Sequence, residues 1–172
     1  TQFEQGAETT VACLKKAKKK KMLTIFNPAP FNKISKDVFN YCNIITPNQV
    51  EAEQLTGLEL KGKSDIKKAM HKIADLGVKK IIITLGKKGA AVFENNNLFY
   101  SHGKNFGKAI DTTGAGDCFN GALASQLALG KEIKEAVDFA CSAAALSVLK
   151  KGTAESMPSL SMIKKFTRPK SN

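Results

Sequence analysis

At 172 residues the chain has the size of one ordinary domain, or of part of a larger one, and can bury a real core. Hydrophobic residues make up 42% and charged residues 24%, and no apolar run nears the ~20 residues a membrane span needs, so a soluble globular protein with no membrane span is expected. The net charge is +12, but Arg168 is the sole arginine and tryptophan is missing, so the excess reads as lysine-rich solvated faces rather than a specific nucleic-acid surface built from Arg forks and stacked aromatics.

The opening Thr1-Gln2-Phe3-Glu4-Gln5 has no initiator Met and no signal-peptide pattern, which suggests an internal start. Thr9 to Lys21 reads as a helix, with Val11, Ala12 and Leu14 as a short apolar face and the Lys15–Lys21 run as a basic last turn suited to the helix dipole. Met22 to Phe26 reads as a buried strand, stopped by Asn27-Pro28-Ala29-Pro30. Asn43 to Thr46 is a second short strand, closed by Pro47, and Asn48 to Thr56 a helix ended by Gly57. Ser64 is the expected cap of the next helix, whose apolar face is Ile66, Ala69, Met70, Ile73 and Leu76, with Gly77 ending it.

Lys80-Ile81-Ile82-Ile83-Thr84-Leu85 is an almost unbroken β-branched run, as for a strand buried on both faces. Gly86 to Gly89 turns the chain into Ala90–Glu94, and Asn95-Asn96-Asn97 makes a hairpin into Leu98–Tyr100. Two long helices follow, Ala115 to Leu129 and Ile133 to Leu149, rich in the small residues that allow close packing; after Gly152 the tail grows polar. Helices alternating with buried strands imply an α/β fold, with a mostly parallel sheet flanked by helices and one antiparallel hairpin.

Cys13, Cys42, Cys118 and Cys141 are scattered, with no C-x-x-C and neither His71 nor His102 at ligand spacing, so a zinc site is not expected and four thiols in a reducing compartment are. So few histidines also argue against Ser-His-Asp or Cys-His hydrolysis. Gly103-Lys104-Asn105-Phe106-Gly107-Lys108-Ala109 approaches a Walker motif, but the spacing is wrong and Ala109 offers no hydroxyl, so it reads as a loop.

The chemistry concentrates in Asp111-Thr112-Thr113-Gly114-Ala115-Gly116-Asp117-Cys118-Phe119-Asn120-Gly121-Ala122. Small residues where a helix begins let the backbone turn tightly and present N–H groups to an anion. Asp117 in the first turn reads either as an N-terminal charge or as a base that takes a proton from a hydroxyl beside that anion hole.

This string resembles the second signature of the ribokinase-like (PfkB) carbohydrate kinases. Asn27-Pro28-Ala29-Pro30, then Thr46-Pro47-Asn48-Gln49-Val50-Glu51-Ala52-Glu53 with Leu55-Thr56-Gly57, are similar to the ribokinase branch of that family. Thr84 to Gly89 resembles the family's nucleotide loop, and Lys151-Gly152-Thr153 with Ser156-Met157-Pro158 its C-terminal cation and base loop. The resemblance implies an ATP-dependent kinase acting on D-ribose, or on another sugar or nucleoside; the rival readings are a non-catalytic truncated fragment that binds nucleotide or a partner, and a polyanion-binding protein acting through Lys15–Lys21. Asp117 would be the base on the sugar hydroxyl, with Gly114, Ala115 and Gly116 as the anion hole.

Asn48 and Glu51 would serve Mg²⁺ and phosphate through water, their spacing of three placing both on one helix face; apart from the resemblance they read as an N-cap and a surface charge. Thr84, Gly86 and Gly89 would line ATP, though alone they read as a strand-ending turn. Asp111, Thr113, Ser147, Lys150, Gly152 and Ser156 match positions that hold a monovalent cation such as K⁺, largely through carbonyls. Cys141 falls either against the adenine base or among ordinary core thiols.

The resemblance covers the C-terminal half of a family member. Residues 1–172 would be the nucleotide-binding and catalytic part of a kinase domain, without the N-terminal half and lid. The resemblance further implies a homodimer for the full-length member and a cytoplasmic location, with a nuclear one in addition as the alternative; the composition and the lack of a long apolar run add the expectation of no specific nucleic-acid partner and no membrane partner.

Overall fold

A computed structural model describes residues 1–31 and 37–168, and the chain divides into two compact units, Thr1–Leu85 with Ala91–Tyr100, and Gly86–Ala90 with Ser101–Asn172. The strands form one five-stranded sheet in chain order: β1 (Ile25–Phe26), β2 (Ile44–Ile45), β3 (Lys80–Thr84), β4 (Gly89–Glu94) and β5 (Asn97–His102). The first three are parallel, with Ile25 beside Ile44 and Ile45 beside Ile81. Helix α1 (Ala7–Lys19) precedes β1, α2 (Asp37–Tyr41) links β1 to β2, and α3 (Gln49–Thr56) with α4 (Lys63–Ala74) links β2 to β3.

The link from β3 to β4 is only Leu85–Lys88, too short for a parallel crossover, so these strands run antiparallel. Asn95 (φ 51°) and Asn96 (φ 63°) then form the two-residue left-handed turn that a tight hairpin requires. This is the mostly parallel α/β sheet with one hairpin that the alternation of elements implies.

In the first unit, Phe26, Ile45, Ile81 and Ile83 of the sheet pack with Leu14 of α1, Val38 and Phe39 of α2, Ala52 of α3, and Ile66, Ala69, Met70 and Ile73 of α4. Ile81, Ile82 and Ile83 are all fully buried, each burial contributing roughly 1.5–3 kcal/mol, which makes β3 the apolar spine of the sheet. Backbone bonds from Asn27 N–H to Thr1 O (3.0 Å) and from Phe3 N–H to Ala29 O (2.9 Å) lay residues 1–3 alongside β1. The second unit packs α5 (Ala115–Ala128), α6 (Ile133–Ser147) and α7 (Leu160–Thr167) around Cys118, Ala143, Leu146 and Ile163, with Phe106 and Phe139 against them.

Several boundaries differ from those the sequence suggests. Met22 and Leu23 are not in a buried strand: Lys21 turns the chain at φ 56°, leaving them 57% and 52% exposed before Thr24 is captured by Asn43. Gly62, not Ser64, is the N-cap of α4, because the Asp65 carboxylate accepts the Gly62 N–H at 3.1 Å and starts the helix two residues earlier. The long helices stop at Ala128 and Ser147, and two short helices, α2 and α7, have no expected counterpart.

Candidate active site

In parallel sheets, functional groups collect where the strands end at their C-terminal side. In the first unit, Asn48 and Thr84 meet there as a parallel bridge between the segments that leave β2 and β3, and the Thr84 N–H donates to Pro47 O at 3.0 Å. Asn48 is the N-cap of α3. Its Oδ1 accepts the Glu51 N–H at 2.9 Å, and Glu51 Oε2 accepts the Asn48 N–H at 2.8 Å. The spacing of three therefore makes a reciprocal capping box rather than two residues on one helix face, since Asn48 lies just outside the helix. Glu51 is no surface charge either: it is 7% exposed, and burial raises its pKa against the opposing pull of the Asn48 N–H. Among the described residues no ion pair reaches it, so a buried carboxylate stands without a cation of the protein's own.

In the second unit, α5 starts from Gly114, which sits in the left-handed region at φ 75°. A Cβ on Gly114 would lie 3.3 Å from Thr153 Cγ2 and 3.6 Å from Met157 Cε, so this turn rests on the 153–157 loop. The helix start leaves first-turn N–H groups without intrahelical acceptors. Of these, Ala115 N–H is directed at Thr112 O (3.2 Å). Asp117 lies in that first turn and is exposed.

Asp111 fastens the turn from the other side. Its Oδ1 accepts the Thr113 N–H at 2.9 Å and its Oδ2 the Gly152 N–H at 3.0 Å. These bonds, Thr113 foremost, hold its pKa down at about 2. Asp111, Thr113 and Gly152 thus form one hydrogen-bonded group. Ser147 O accepts from Lys150 N–H at 3.5 Å, while the Ser147 hydroxyl donates to Ala144 O and Ser156 donates to Thr153 O.

Gly86 and Gly89 behave differently. Gly86 (φ 56°) has open space where a side chain would go. At Gly89 (φ 96°) a Cβ would fall 2.1 Å from Ser101 O and 2.5 Å from Gly103 N, so the hairpin itself demands glycine there. Cys141 is buried, its thiol pushed up by burial and reached by the Ser101 hydroxyl at 3.4 Å; the same hydroxyl lies 2.5 Å from Asp138 Oδ1. Ser101 and Asp138 were not expected among the site residues, and the packing of Thr153 and Met157 of the expected cation and base loop against Gly114 was not expected either. Each touches its partner across many residues of sequence, and no local spacing signals such a contact.

With this geometry in place, the family model described as pfkB family carbohydrate kinase matches residues 4–160. The chain belongs to the pfkB family of carbohydrate kinases. It is 41% identical over 142 residues to the ribokinase of Haemophilus influenzae, covering 83% of this chain and 46% of that one. The deoxyribokinase of Salmonella typhi is 31% identical over 166 residues, 96% of this chain and 54% of its own. The structure of Arabidopsis thaliana ribokinase complexed with ribose and ATP superposes with a TM-score of 0.88 at 31% identity, covering 91% of this chain and 51% of that one. The chain spans about half the length of the curated relatives it matches.

Proposed function

We propose that this chain carries the nucleotide-binding and catalytic part of an ATP-dependent kinase that converts D-ribose to ribose 5-phosphate. The observation that carries the reading is the start of α5: a left-handed glycine, first-turn N–H groups and an exposed carboxylate, Asp117, within one helical turn. Asp117 takes the proton from the primary hydroxyl of the sugar. The hydroxyl oxygen bonds to the γ-phosphorus, the bond to the β,γ-bridging oxygen breaks, and ADP leaves. First-turn N–H groups, among them that of Gly116, stabilise the negative charge on the transferring phosphoryl. Thr84, Gly86, Gly89 and Cys141 line the nucleotide in this reading.

The donor chemistry fits the two cations the family implies. Glu51, buried and without an ion-pair partner among the described residues, would hold Mg²⁺ through water together with Asn48. Bound there, Mg²⁺ would neutralise charge on the phosphates. Asp111, ionised down to about pH 2, would hold a monovalent cation such as K⁺ with Thr113, Ser147, Lys150, Gly152 and Ser156. Similarity to a deoxyribokinase as well as to ribokinases supports 2-deoxyribose as the second reading. The whole protein is proposed to be a cytoplasmic homodimer.

Two measurements test the proposal. Sugar-dependent ADP release should be greatest with ribose across a panel containing 2-deoxyribose, fructose and nucleosides. Asp117→Asn should lower kcat by about 10²- to 10⁴-fold with little change in ATP affinity. A variant keeping more than half of the parent kcat would remove Asp117 from the role of base.

A further inference from the structure

Helix α1 ends in a charge concentration that the kinase chemistry does not use. Lys15, Lys16, Lys18, Lys19, Lys20 and Lys21 are all exposed, six positive charges in seven residues. A helix C-terminus attracts cations with roughly half an elementary charge, so the dipole offsets only a small part of this density. The acidic residues of α1 and of the neighbouring α2 are Glu8 and Asp37, each in the first turn of its helix, two charges against six. Lys18 is engaged, donating to Asn40 O at 2.7 Å with its ammonium over the Tyr41 ring. The other five follow the helix end and the turn at Lys21. Directly after them stand Met22 and Leu23, large apolar side chains left 57% and 52% exposed.

We infer that this tip docks on an anionic lipid surface, the lysines meeting headgroups while Met22 and Leu23 enter the acyl boundary. A nucleic-acid backbone would satisfy the lysines but gives no role to two exposed apolar side chains. The patch also has no arginine, and the Tyr41 ring lies beneath Lys18. A lipid interface is both anionic and apolar within a few ångströms, which matches the lysine run and the pair that follows it.

The test is co-sedimentation of the protein with vesicles of phosphatidylcholine alone and of phosphatidylcholine with phosphatidylserine, beside an RNA mobility shift. Binding should need the anionic lipid and weaken with salt. Each lysine near such a surface is worth roughly fivefold in partitioning, so Lys15, Lys16, Lys19, Lys20 and Lys21 all changed to Gln should lose at least tenfold. Met22→Ser with Leu23→Ser should lose several-fold at unchanged charge. Circular dichroism melting checks each variant, and if the lysine variant fails to fold, the salt dependence and the Met22/Leu23 variant carry the test. Vesicle binding sensitive to both charge and the apolar pair supports the inference. No vesicle binding, or vesicle binding indifferent to either, overturns it, including the case in which RNA is bound through the lysines instead.

Discussion

Gly89 separates two reasons for a glycine in a candidate nucleotide loop. A Cβ there would approach Ser101 O to 2.1 Å, and contacts below 3.0 Å force something to move. The atoms it meets are all backbone, so β5 must retreat by about 0.9 Å, the difference between those two distances. The Gly103 N–H to Lys88 O bond, now 3.0 Å, would then stretch beyond useful length. Overpacking costs about 1–3 kcal/mol, the positive φ about 1–2 kcal/mol, and the weakened bond about 0.5–1.5 kcal/mol. Gly89→Ala should therefore destabilise by about 2.5–6.5 kcal/mol. Gly86→Ala, with φ 56° and open space, should cost only about 1–2 kcal/mol. Urea unfolding of both variants measures this: at a slope of about 2 kcal/mol per M, the Gly89 midpoint falls by roughly 1.3–3.3 M. If Gly89→Ala unfolds no earlier than Gly86→Ala, the hairpin does not require the glycine and the steric reasoning is wrong.

Glu51→Gln removes a charge that burial disfavours, while the amide oxygen can still accept the Asn48 N–H. Thermal stability at neutral pH should hold or rise while the Mg²⁺ concentration needed for activity increases; a lowered melting temperature with an unchanged Mg²⁺ titration would contradict this. Asp111 has its folded pKa depressed, so its contribution to stability is present above the unfolded value of about 4 and is lost as pH falls towards about 2. Acid unfolding of Asp111→Asn should show a shallower pH dependence in that window than the parent protein.

What the sequence disclosed was local. The α3 helix between Asn48 and Gly57, the isoleucine run of β3 and the glycine-rich start of α5 all lie within a few residues of the features that define them. Glu51 shows the limit. A spacing of three is shared by neighbours on a helix face and by a capping box, and only the backbone at Asn48, extended at φ −77° and ψ 176°, separates them. Met22 and Leu23 are apolar enough for a strand but follow the turn at Lys21 and stay exposed. Gly89 looks like any loop glycine until β5 comes within 2.1 Å of its missing side chain.

The bond from Gly152 N–H to Asp111 Oδ2 joins residues 41 apart in sequence. The whole α5–α6 pair lies between them, so the bond is expected to close once those helices have formed and packed. Closing so long a loop early would cost entropy with little contact energy to offset it. The clamp at the candidate anion hole is therefore expected to form late in folding. Weakening it with Asp111→Asn should speed unfolding and leave the refolding rate nearly unchanged, so the rigidity of this corner acts on how long the native state lasts rather than on how fast it is reached.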